Sequence, residues 1–148
     1  MLKTNIPPTY MKFKFVLSAI LLLITSQLIA QEINEKKIDR LQLQLIKKNY
    51  SSIDKAIIYN QLAEEYLDIE PEKSNKFIYL ALPISKKYNF SKGIADFYRI
   101  SAKILLNQGQ FEKAVINSEK ASNIYLQVKD TSNYLSNLYT LARATKEI

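Results

Sequence analysis

The chain has 148 residues with 21 basic and 14 acidic side chains, a formal net charge of +7, which is room for one domain. Cysteine and histidine are absent and glycine occurs only at Gly93 and Gly109, so disulfides, thiolate metal sites, histidine bases and glycine-rich phosphate cradles are excluded. With 47% hydrophobic residues a core is affordable, and what remains is a helical, non-catalytic class with no cofactor and no metal.

Residues 1–30 read as an export signal. Lys3, Lys12 and Lys14 precede the apolar stretch Phe15 to Ile24, no acid occurs before Glu32, and Ala30 offers a small residue at the end. Basic, apolar, small is the layout of a secretory signal peptide. The uncharged run from Phe15 to Gln31 is 17 residues and is broken by Thr25, Ser26 and Gln27. A membrane-spanning helix needs about 20 predominantly apolar residues. Cleavage after Ala30 is therefore expected, with Met11 the better start and a periplasmic or secreted chain beginning at Gln31; an uncleaved segment would instead be a membrane anchor. Part of the net positive charge lies in this leader, and no nucleic-acid partner is expected.

Beyond it the chain repeats about every forty residues. Tyr59 falls on Tyr98 and then Leu138, Ala63 on Ala102 and Ala142, and Ser52 on Ser91 and Thr131. Ala81 falls on Ala121 and Ile84 on Ile124. Small residues recurring among bulky ones mark close helix contacts, and Ser52, Ser91 and Thr131 are expected as N-caps.

Residues 32–48 carry Ile38, Leu41 and Leu45 at helical spacing and read as the second helix of an incomplete unit within 32–50. The unit 51–90 opens with a helix over about 53–67, bearing Ala56, Tyr59, Leu62, Ala63 and Tyr66. Asp68 to Pro71 is a break, and Pro71 suits the first turn of the next helix. That helix carries Phe77, Leu80, Ala81 and Ile84; Pro83 inside it should kink it or cost about 3 kcal/mol. The unit 91–130 holds a helix with Ile94, Tyr98, Ala102 and Leu105, a turn at Asn107 to Gln110, and a helix with Phe111, Ala114, Ala121 and Ile124. The partial unit 131–148 supplies Tyr134, Leu138, Leu141 and Ala142. The expectation is an all-α antiparallel helix-pair solenoid of about six helices, with the ten tyrosines mostly on buried phases.

This pattern resembles the tetratricopeptide repeat across about 32–148. In the second unit Tyr98 takes the family's first aromatic position, Ala102 its small position, Gly109 the turn glycine, Phe111 the following aromatic, and Ala114 and Ala121 the two small positions of the second helix. Ser118 sits where the family has an aromatic. The roughly forty-residue unit resembles repeats of exported bacterial proteins and of the sensory regions of two-component kinases and their regulators. The resemblance implies a scaffold that binds another protein or a peptide on the concave face of the first helices. The alternative it implies is the sensory segment of a sensor kinase or transcriptional regulator. Membrane contact is expected only through an uncleaved leader or a further C-terminal region.

Carried over position by position, that face presents Asn60 and Glu64, then Arg99, Lys103 and Asn107, then Tyr139 and Arg143. Arg99 and Lys103 are four apart on one helical face, and Lys103 and Arg143 share a phase in adjacent units, so a short basic stripe beside Tyr139 is expected, suited to an acidic segment. Asn60 and Glu64 replace the Lys and Asn of the family's clamp for a terminal carboxylate, which speaks against that ligand. Ser52-Ile53-Asp54-Lys55 has the Ser-x-x-Lys spacing without its companion motifs and is read as helix-start chemistry. Asp68, Glu70 and Glu72 around Pro71 are read as acids favoured by the helix dipole. At the end of the chain Leu135 and Leu141 are expected to be open to water, inviting weak self-association.

Overall fold

The computed structural model describes residues 8–47 and 49–148. Lys3 and Pro7 lie outside the described residues, and the side chains of Lys12, Lys14 and Ala30 are likewise outside them. Among the described residues six helices follow one another: α1 Pro8–Ile46, α2 Ser52–Tyr66, α3 Pro71–Lys87, α4 Ser91–Asn107, α5 Phe111–Gln127 and α6 Thr131–Lys146. No strand occurs among the described residues. The chain divides into a unit ending at Lys37 and a unit from Ile38 to Ile148.

In the first unit the apolar side chains from Val16 to Ile29, among them Leu21, Leu22 and Leu23, are exposed along α1. The helix is long and apolar enough to cross a membrane by length and composition. The helix expected over 32–48 is found as the last part of α1.

In the second unit the helices pack in adjacent antiparallel pairs, an all-α solenoid-like arrangement. The last turns of α1 start the core, with Ile38 and Leu41 buried against Ile58, Leu62 and Tyr66 of α2. A second cluster joins Ala63 and Leu67 to Ile78 of α3 and to Phe97, Ile100 and Ile104 of α4. Ala95 packs with Ala121 and Tyr125 of α5, and Leu106 with Ala114 and Ala144. The recurring small residues Ala56, Ala63, Ala81, Ala95, Ala102, Ala114 and Ala121 are all fully buried, because a methyl is the largest side chain two backbones at close approach can hold.

Three local expectations are corrected. The N-caps lie one residue earlier than Ser52, Ser91 and Thr131. Ser51 caps α2 through a capping box with Asp54, Phe90 precedes α4 without a side-chain cap, and Asp130 caps α6 through the amide of Asn133. A capping oxygen reaches the amide three residues on, which is what Ser51 and Asp130 do. Separately, α3 continues through Pro83. Pro83 has no amide to offer the Tyr79 carbonyl, and both residues are exposed. The buried phase of α3 is Ser74, Ile78, Ala81 and Ser85, while Leu80 is exposed. Finally, Tyr66 and Tyr125 are buried, but Tyr79, Tyr88 and Tyr139 are exposed.

The last interface differs in chemistry from the one before it. Moving forty residues along from Ile78, Leu82, Phe97, Ile100 and Ile104 leads to Ser118, Ser122, Asn137, Thr140 and Ala144. The α5–α6 seam is thus a small, polar copy of the apolar α3–α4 seam. Asn137 is fully buried and donates from Nδ2 to the Ser118 carbonyl at 2.7 Å and to Ser122 Oγ at 2.9 Å.

The turns also repeat. Asn89, Gly109 and Lys129 end α3, α4 and α5 in the left-handed region, with φ of 52°, 71° and 57°. That conformation is cheap for glycine, tolerable for asparagine and strained for lysine. Gly93 is required by space instead. A Cβ there would lie 2.4 Å from both Ser85 Oγ and the Phe90 ring.

Candidate functional site

The expected face is carried by α2, α4 and α6, and the structure sorts its seven residues into three groups. Asn60 is buried and donates from Nδ2 to the Gly93 carbonyl at 3.2 Å. It ties α2 to α4 and is not offered to a ligand.

Glu64 and Arg99 form the second group. The Arg99 guanidinium meets the Glu64 carboxylate through Nη1–Oε1 at 3.1 Å and Nη2–Oε2 at 2.8 Å. Lys103 Nζ meets the same carboxylate at 2.5 Å. Arg99 is only 8% exposed. Its Nε donates to the Tyr125 hydroxyl at 3.1 Å, which in turn donates to Asp96 at 2.6 Å. Burial pushes the Glu64 carboxyl up, but Arg99 and Lys103 outweigh it and hold the group below its ordinary value. Burial pulls Arg99 down, and Glu64 then lifts it above the usual guanidinium value, so it stays charged. Burial raises Asp96 against the Tyr125 hydrogen bond and the Arg99 and Lys92 charges, and Tyr125 is raised by burial and by Asp96. The expected basic stripe is therefore corrected at Arg99. A guanidinium cannot be buried unpaired, and Glu64 from the neighbouring helix neutralises it.

The third group is a cleft of about 210 Å³ between α4 and α6 that gathers Lys103, Asn107, Tyr139 and Arg143. Leu67 and Leu106 line its apolar part, Asp68 lies beside them, and Ser136 and Thr140 add hydroxyls. Tyr139 is 68% exposed, and the Arg143 guanidinium stands 5.7 Å from its ring centroid. Among the described residues Arg143 has no carboxylate partner. The cleft thus offers one unpaired cation, an aromatic face, an amide and hydroxyls over an apolar base. That set suits a protein segment carrying an acceptor beside an apolar side chain.

Asp96 and Tyr125, which complete the buried network, were not legible as such. A tyrosine on a buried helical phase needs a partner for its hydroxyl, and that rule is the one signal that bears on Tyr125. Among the described residues no group of three acidic, histidine or cysteine side chains could hold a metal. No protein-family model matches this chain, nor does a curated protein or a solved structure.

Proposed function

We propose that the chain is an exported helical-repeat scaffold of the tetratricopeptide type. It holds another protein in the cleft between α4 and α6 and performs no catalysis. The observation that carries this reading is the cleft itself: Tyr139 stands exposed where its earlier equivalents, Arg99 and Asn60, are buried, and Arg143 beside it is exposed with no carboxylate partner among the described residues. Support for the repeat type comes from the fully buried alanines at one phase of successive helix pairs. The exposed apolar stretch of α1 behind a basic start supports export, with removal after Ala30.

Cell fractionation with N-terminal sequencing tests the export half: a periplasmic chain starting at Gln31 is expected, and a cytoplasmic chain keeping Met11 contradicts it. Affinity capture from that fraction tests the binding half. A partner retained by the parent and lost on Arg143→Glu is expected; the same capture by both contradicts it.

A further inference from the structure

On α2 the positions Ala56, Asn60, Ala63 and Leu67 are buried, and their images on α4, Ala95, Arg99, Ala102 and Leu106, are buried as well. In each case the cover includes the second helix of the same pair. Ala63 and Leu67 pack with Ile78 of α3; Ala95 packs with Ala121 and Tyr125, and Leu106 with Ala114, all of α5. The third set of images lies on α6 as Leu135, Tyr139, Ala142 and Lys146, and all four are exposed, Leu135 at 59%. The expectation of an open Leu135 therefore holds, while Leu141 is half-buried and Ala142, expected as a contact position, is bare. This face adjoins the cleft, which shares Tyr139 with it.

We propose that the partner presents an α-helix, laid antiparallel along α6 on Leu135, Tyr139 and Ala142 as α5 lies on α4. This rests on the reading of the cleft as a protein-binding site and names what it receives. The chain itself supplies the precedent twice, at spacings of 39 and 40 residues. The contacts define the partner's chemistry. Leu135 is bulkier than Ala95, so the opposing residue must be smaller than the Tyr125 that packs on Ala95. The images of Ala114 and Ala121 must stay small for the helices to approach. Lys146 replaces Leu106, and with Arg143 it makes this end of α6 basic. The partner's N-terminal turn lies there in an antiparallel pair, so it carries an acid, as α5 does with Glu112.

The probe is a stapled helical peptide of the α5 sequence 110–128 carrying Tyr125→Ala, with the staple across positions 113 and 120, both exposed in α5, so that Glu112 is kept. It is titrated against the full-length protein in mild detergent by fluorescence anisotropy, with amide shifts mapping the site. The expected result is saturable binding that shifts α6 at Leu135 and Tyr139. A further Ala121→Leu in the peptide or Leu135→Glu in the protein should weaken it at least tenfold, while the thermal melt of the Leu135→Glu protein stays unchanged. Binding indifferent to Leu135→Glu, or shifts confined to Ala95 and Ala102 because the peptide displaces α5, would overturn the proposal. If the helix fails while an extended Glu-containing peptide binds and is lost with Arg143→Glu, the helical partner is refuted and the cleft reading stands. If neither binds, both fall.

Discussion

Replacing Asn137 by alanine should loosen the last helix and little else. Asn137 is fully buried in the seam between α5 and α6, and its amide makes two hydrogen bonds, to the Ser118 carbonyl and Ser122 Oγ. Two neutral buried hydrogen bonds contribute about 1 kcal/mol each. Truncation also leaves a small void, offset by removing Oδ1, which has no partner of its own. A net loss of about 2 kcal/mol follows. The remaining grip of α6 comes from Thr140 and Ala144, with Tyr134, Leu138 and Leu141 half-buried, far less apolar surface than Phe97, Ile100 and Ile104 give α4. The loss should therefore appear as local opening. Amide exchange over 131–146 should accelerate by about thirtyfold, while amides of α2 and α4 keep their protection. Equal acceleration in α4 would mean that the helices open as one unit. No change in α6 would mean that the buried amide contributes nothing, and either result refutes the reasoning.

Three further outcomes follow from the packing, the turns and the charges. Ala121→Leu should cost about 1–3 kcal/mol in urea melts through overpacking against Ala95, whereas Lys120→Ala, which gives up only an exposed cation–ring contact with Tyr98, should cost at most about 0.5 kcal/mol; equal effects would mean the helical phase is wrong. Lys129→Gly should stabilise by about 0.5–1 kcal/mol by relieving a left-handed lysine, and Gly109→Ala should destabilise by about 1 kcal/mol for the reverse reason; matching signs in thermal melts would contradict the turn geometry. Glu64 is held below its ordinary 4.5, and Asp130, bonded to Lys92 and Asn133, is lowered to about 2. Depressed carboxyls add stability above their unfolded values that is lost as pH falls through the folded ones. Asp96, raised by burial, acts oppositely, adding stability only at low pH and losing it as pH rises. The urea midpoint should therefore drop between pH 5 and pH 2, and drop less steeply in Glu64→Gln; identical slopes would remove Glu64 from the account.

The helices and their pairing were legible because the same small residues return at one phase, and a fully buried alanine leaves that mark whichever neighbour covers it. Pro71 and the turn at Gly109 were legible for a similar local reason. Ile78 was not preferred over Leu80, since one helix cannot show which side of its apolar stripe meets the next helix. The caps slipped by one residue because Ser51-Ser52 and Asp130-Thr131 each offer two capping side chains in succession. The site was legible by halves. Lys103, Asn107, Tyr139 and Arg143 do share a cleft, since residues at one phase of successive first helices line up. Arg99 does not join them, because its partners Glu64, Asp96 and Tyr125 come from three helices and no local pattern announces the pairing. The polar seam around Asn137 was visible as letters forty residues apart, but its burial belongs to the packing.

The central claim is that Tyr139 marks a protein-binding surface. The direct measurement is photo-crosslinking in cells that express the chain, with p-benzoylphenylalanine at Tyr139 and, separately, at Tyr88, which is also exposed. A discrete adduct of the chain with one other protein from Tyr139, and none from Tyr88, is the predicted result. No adduct from Tyr139, or the same products from both positions, would contradict it.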